Sequence, residues 1–145
     1  MDKHLCPVGI AWTLDNFVRR WVHNPKRIFG RYIKPGMKII DFGCASGTFS
    51  IALAKMLNGN GKVIAVDIQG RLLDKLKEKI KNKPYEKLIK THKSGKDRIG
   101  IKEKVDFILA FWSIHETNDE KKIFKELYSD FCYFMSSVLK QPAFA

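Results

Sequence analysis

The stretch that most constrains this chain is Met37 to Lys55, MKIIDFGCASGTFSIALAK. Met37, Ile39, Ile40 and Phe42 make a short apolar run behind the turn pair Pro35-Gly36. Its length and isoleucine content favour a strand. Gly43 and Gly47 follow at once, where a chain leaving a strand needs positive φ or close backbone approach. Phe49, Leu53, Met56 and Leu57 then recur at helical spacing, with the small Ala52 and Ala54 between them. A strand, a glycine turn and a helix in this order open a nucleotide-binding α/β domain.

Asp41 narrows the ligand. A loop built for a dinucleotide pyrophosphate aims helix N–H groups at an anion. A carboxylate at the end of the strand repels that anion and suits a ligand with a cation and no phosphate. S-adenosyl-L-methionine is such a ligand, with an ammonium, a sulfonium and an adenosine. Asp41-Phe-Gly43-Cys-Ala45-Ser-Gly47 resembles the first motif, D-x-G-x-G-x-G, of the class I S-adenosylmethionine-dependent methyltransferases, with Ala45 in place of the middle glycine. The resemblance implies that Asp41, Gly43, Ala45 and Gly47 hold the methionine part of the cofactor. The run CPVGIAWTLDNFVRRWVHNPKRIFGRYIKPGM is similar to the start of small microbial members of that family and names no substrate. A nicotinamide oxidoreductase is the competing enzyme class, and it lacks its G-x-G-x-x-G here.

Further along, Lys62 to Asp67 reads as the second strand, after the helix-stop sequence Asn58-Gly59-Asn60-Gly61. Asp67 falls 20 residues after Gly47, where an acid accepts hydrogen bonds from ribose hydroxyls. It matches the acid of the family's second motif, with Ile68 beside it as a further candidate contact. Replacing Asp67 by Ala is expected to abolish cofactor binding and leave the fold intact. The alternative for Asp67 is a helix N-cap. Gly70 to Asn82 reads as a helix with Leu72, Leu73, Leu76 and Ile80 inside, and Lys87 to His92 as the third strand. In the loop after it the resemblance implies adenine contacts, with Ser94 and Asp97 as candidates.

Val105 to Phe111, VDFILAF, is nearly all apolar, as in a parallel strand covered on both faces. Strands alternating with helices predict a doubly wound, mostly parallel Rossmann-like sheet, and the resemblance implies the order 3-2-1-4. The resemblance places Phe111 and Trp112 beside the transferred methyl, where aromatic faces favour a sulfonium. Enzymes that methylate exocyclic amines carry [N/D]-P-P-[F/Y] at this point, and AFWS does not match it. His115, with Glu116 beside it, is a candidate general base, although aligned methyl transfer does not require one. Thr117 to Glu120 fits a capping box, followed by a helical stripe from Ile123.

The resemblance implies seven strands, and four are legible before the chain runs out in FCYFMSSVLKQPAFA. The expected organisation is a helical extension over 1–36 and a C-terminally truncated cofactor-binding core over 37–145. Strand four is then an edge, which a second copy of the chain could cover. Such a fragment could also be a binding module without turnover. At 145 residues, 45% apolar and 29% charged, the chain fits one soluble domain. It has no window apolar enough for a membrane span and no signal-peptide pattern. Cys6, Cys44 and Cys132 form no C-x-x-C pair and read as reduced thiols in a cytoplasmic protein, with no metal site. The net charge of +12 is concentrated between Arg71 and Lys104, with thirteen Lys/Arg against five Asp/Glu. Such a run is more often a solvated face than a nucleic-acid groove. A small-molecule acceptor is therefore the leading expectation and RNA the alternative.

Overall fold

The computed structural model describes residues 25–110 and 120–129. A short helix α1 (Pro25–Phe29) leads into strand β1 (Lys38–Phe42), helix α2 (Thr48–Met56), strand β2 (Lys62–Asp67) and helix α3 (Gly70–Ile80). A single 3-10 turn (Glu86–Leu88), strand β3 (Ile89–Lys93), strand β4 (Phe107–Ala110) and helix α4 (Glu120–Ser129) follow. The strands form one parallel sheet in the order β3-β2-β1-β4. This is the doubly wound arrangement that the alternating pattern predicts. The helical reading of residues before Pro25 and the cap at Thr117 lie outside the described residues.

Both faces of the sheet are covered, which explains the near-continuous apolar runs of β1, β2 and β4. Ile39, Val63, Ile89, Phe107 and Leu109 face one way and pack with Phe29 of α1, Leu53 of α2 and Leu73, Leu76 and Ile80 of α3. Ile40, Phe42, Ile64, Val66 and Ile108 face the other way, against Ile123 of α4 and against Ile99 and Val105 from the β3–β4 connection. At this edge β3 is less apolar, because its residues Lys90 and His92 stand in register with Ile64 and Val66 on the second face.

Three boundaries differ from the sequence reading, each for a local reason. Helix α3 stops at Ile80 instead of Asn82, because Asn82 takes a left-handed φ of 61° and its N–H donates to Glu86 Oε2 at 2.8 Å. Strand β3 starts at Ile89 instead of Lys87, because Glu86–Leu88 closes as a tight turn, with the Leu88 N–H donating to the Tyr85 carbonyl at 3.1 Å. Strand β4 begins at Phe107, since Asp106 exchanges two bonds with Lys38: its N–H donates to the Lys38 carbonyl, and its Oδ2 accepts from the Lys38 N–H, both at 2.8 Å.

The β3–β4 connection is held from two sides. His92 Nε2 lies 2.7 Å from the Ile99 carbonyl oxygen. The Glu126 carboxylate of α4 accepts the N–H groups of Ile99 at 2.9 Å and Gly100 at 2.7 Å. This fixes the loop that starts at Ser94, at the carboxyl end of β3.

Candidate functional site

The carboxyl ends of β1, β2 and β3 come together at one edge of the sheet. The turn leaving β1 is bound to β2 by its own backbone: the N–H groups of Gly43 and Cys44 both donate to the Val66 carbonyl, at 2.8 and 3.0 Å. The Ser94 N–H donates to the Asp67 carbonyl at 3.0 Å, which brings β3's exit to the same place. Gly43, Ala45 and Gly47 take positive φ values of 75°, 48° and 86°. The D-x-G-x-G-x-G spacing thus marks every position where the turn needs left-handed backbone, and Ala45 adopts it despite its Cβ.

Gly47 is required by packing as well as by φ. A Cβ there would lie 2.2 Å from Cδ1 of Leu76. Leu76 is itself fully buried on α3, so the third glycine lets α3 close onto the start of α2. This differs from an approach to ligand, which the sequence alone suggests.

Asp41 is 1% exposed, on the sheet face covered by α2. Ser50 of α2 donates its hydroxyl to Asp41 Oδ2 at 2.5 Å. Burial pushes the carboxyl up from its ordinary 3.8 to about 7; the Ser50 bond opposes this, and the nearby Asp67 carboxylate adds to it. Asp41 is therefore enclosed beneath the turn. Cys44 is buried beside it, and burial together with the two acids pushes its thiol well above the ordinary range. A neutral buried thiol is a poor nucleophile.

Asp67 joins the two turns. Its Oδ2 accepts the Ala45 N–H at 2.9 Å, and its Oδ1 accepts the Gln69 N–H at 2.8 Å. Burial raises its pKa, and the backbone bonds from Gln69, Ala45 and Ile68 hold it back. It does not cap α3, whose N-cap is Gln69. A carboxylate offers about four lone-pair sites, and the three backbone bonds leave one for a hydroxyl donor. Among the described residues neither Asp41 nor Asp67 has a lysine or arginine partner.

The structure thus brings together Asp41, Gly43, Ala45, Gly47, Asp67, Ile68 and Ser94. Phe111, Trp112 and His115 lie outside the described residues. Two residues that sequence reading passes over belong here. Ser50 is a hydroxyl on the buried stripe of Leu53 and Ala54, a polar residue needing a partner. Lys79 of α3 donates to the Ser46 carbonyl in the turn at 3.2 Å.

A parallel sheet with an acidic, left-handed turn at its carboxyl edge is a binding crevice of the doubly wound α/β class. Residues 33–142 match the family described as "Methyltransferase domain", and the chain belongs to that family, among the class I S-adenosylmethionine-dependent methyltransferases. It superposes on a SAM-dependent methyltransferase from Aquifex aeolicus with a TM-score of 0.75 and 29% identity, covering 85% of this chain and 66% of that one. A protein from Methanococcus maripaludis, described as an S-adenosyl-L-methionine-dependent methyltransferase, gives 0.70 at 21% identity over 90% of this chain and 63% of that one, a likeness of fold. Among curated proteins, demethylmenaquinone methyltransferase of Lactobacillus johnsonii is 26% identical over 66% of this chain. Ribosomal RNA large subunit methyltransferase E of Oleidesulfovibrio alaskensis is 37% identical over 38% of it. The chain spans 40% and 28% of the lengths of these two relatives.

Proposed function

We propose that this chain binds S-adenosyl-L-methionine in the crevice at the carboxyl ends of β1, β2 and β3, and that it serves methyl transfer. The observation that carries this reading is the pair of acids at the turn, neither balanced by a lysine or arginine among the described residues. Two carboxylates without cationic partners suit a cationic ligand, and the remaining lone pair of Asp67 suits a ribose hydroxyl. When bound, the cofactor supplies a methyl group on a positively charged sulfur, open to in-line displacement by a nucleophile.

The chain's own residues do three things in this reading. Gly43, Ala45 and Gly47 shape the turn against which the methionine part lies. Asp67 holds the ribose and keeps the two turns together, with Ile68 and Ser94 bordering the adenosine. Asp41, ionised above about pH 7, supplies negative potential from below. Phe111 and Trp112 at the methyl, and His115 as a base, complete the proposal from the sequence.

The names of the relatives divide the acceptor between a small molecule, demethylmenaquinone, and ribosomal RNA. The AFWS sequence after β4 supports the small molecule, and the surface argued below supports nucleic acid. No helix among the described residues is long and apolar enough to cross a membrane. A cytoplasmic setting, and a second copy covering the open edge of β4, belong to the same reading; a mass measured in solution tests the latter. Isothermal titration of the protein with S-adenosylmethionine is the direct test of the function. Saturable binding that NADH does not displace is expected, and absence of binding would overturn the reading.

A further inference from the structure

The floor of the crevice is acidic, whereas its rim carries the exposed cations Arg71, Lys93 and Arg98 against one exposed acid, Asp97. Lys93 ends β3 in register with Asp67 and is exposed. Its Cδ would lie 3.7 Å from a Cβ on Gly70, so its stem runs along the start of α3. Arg71, the next residue of α3, is also exposed, and the first turn of that helix contains no acid. Arg98 is exposed where its carbonyl accepts the Gly95 N–H at 2.9 Å, which folds it back toward Ser94. Among the described residues none of these three cations has an ion-pair partner. The basic run does form such pairs elsewhere: Lys77 with Asp74, and Lys90 and Lys62 with Glu103.

A rim of unpaired cations beside an acidic floor separates two ligands by charge. The floor takes a cation, and the rim takes an anion extending away from it. The rim lacks the apolar centre that a protein interface or a membrane needs. The exposed large apolar residue among the described residues is Ile28, on α1. Binding by charge alone is what a nucleic-acid backbone offers.

We propose that Arg71, Lys93 and Arg98 form a docking surface for the phosphate backbone of a single-stranded nucleic acid, which presents the methyl acceptor to the crevice. This rests on the proposed methyl-transfer site, and it assigns the substrate class of that site. RNA and DNA share the phosphate chemistry, and the experiment separates them.

The test is fluorescence anisotropy with labelled RNA and DNA oligonucleotides of about twenty nucleotides, titrated over a range of salt. Two double variants with the same charge change are compared with the parent protein. Arg71→Gln/Lys93→Gln alters the rim. Lys34→Gln/Lys104→Gln alters exposed lysines at the amino ends of β1 and β4, roughly 15 Å away along the strands. The rim variant is expected to bind about tenfold more weakly at low salt, with a salt slope shallower by about 1.4, and the control variant to match the parent. Tighter binding of one oligonucleotide names the source. Equal weakening by both variants would reduce the effect to net charge and overturn the proposal. So would absence of binding to either oligonucleotide, or equal binding of polyglutamate. Titration of the rim variant with S-adenosylmethionine keeps the two readings apart: retained cofactor binding with lost oligonucleotide binding supports the rim. If no variant binds cofactor but oligonucleotide binding still follows the rim, the docking surface stands and the methyl-transfer reading falls.

Discussion

The Ala45 amide donates a 2.9 Å hydrogen bond to Asp67 Oδ2, so the turn after β1 is fastened to the end of β2 by a side chain. The other oxygen of the same carboxylate takes the Gln69 amide at 2.8 Å. Asp67 thus has a structural duty beside any contact with a ribose. Asp67→Ala leaves two partly buried N–H groups without their acceptor. It is expected to lower unfolding free energy by about 2–4 kcal/mol in addition to weakening cofactor binding. Asp67→Asn keeps one acceptor oxygen and is expected to lose less. Urea titrations of the two variants rank them, and an Ala variant as stable as the parent would remove the structural role.

Gly47 and Leu76 make a second such relationship. The 2.2 Å approach of a Cβ to Leu76 Cδ1, at a φ of 86°, combines overpacking with left-handed strain. Gly47→Ala is expected to destabilise by about 3 kcal/mol or more. Adding Leu76→Ala should relieve the clash, so the double variant is expected to be more stable than the sum of the two single changes predicts. Strict additivity in a double-mutant cycle would show that the clash is not the cause.

Ala45 carries the opposite prediction. Its φ of 48° is one that glycine adopts freely. Ala45→Gly is expected to stabilise by roughly 0.5–1 kcal/mol, relief of strain exceeding the added freedom of the unfolded chain. The readout is the midpoint of chemical unfolding. A lower midpoint would mean that the methyl group packs more favourably than its backbone is strained.

Asp41 sets a pH dependence with a definite sign. Its carboxyl titrates near 3.8 when exposed and about 7 when folded. Between these values the folded chain holds more protons than the unfolded one, so stability falls as pH rises. The slope reaches at most about 1.4 kcal/mol per pH unit, and the loss is complete above about pH 7. Asp41→Asn is expected to flatten the curve, leaving a residual slope from Asp67, whose pKa is also raised. Thermal unfolding across this pH window tests it; parallel curves for parent and variant would place the titrating group elsewhere.

The strands were legible because β1, β2 and β4 are buried on both faces, which leaves continuous runs such as Val63 to Val66, and their order followed from the family resemblance. Strand β3 was less so, because Lys90 and His92 interrupt it at the edge. Within the site, Gly43, Ala45, Gly47 and Asp67 could be read because the left-handed turn and the acid recur at fixed spacing. The reasons for them could not. Gly47 answers to Leu76 on α3, and Asp67 to amides in two different turns. Ser50 and Glu126 went unread, since each is a polar helical residue whose partner lies in a different element, Asp41 of β1 and the β3–β4 connection.

The placing of Asp41 between neighbours also bears on how the chain reaches its fold. In register it sits between Ala65 of β2 and Leu109 of β4. β2 returns after a single helix, whereas the Lys38–Asp106 bond that starts the β1–β4 ladder closes a separation of 68 residues. Loop-closure entropy makes that joining the later event. If Asp41 ionises as an ordinary carboxylate until then, the final step must desolvate or protonate a charge at any pH above its ordinary 3.8. Refolding is accordingly expected to slow as pH rises toward 7 and to lose that sensitivity in Asp41→Asn, which stopped-flow measurement resolves. A rate insensitive to pH in the parent chain would mean that this acid is enclosed before β4 arrives.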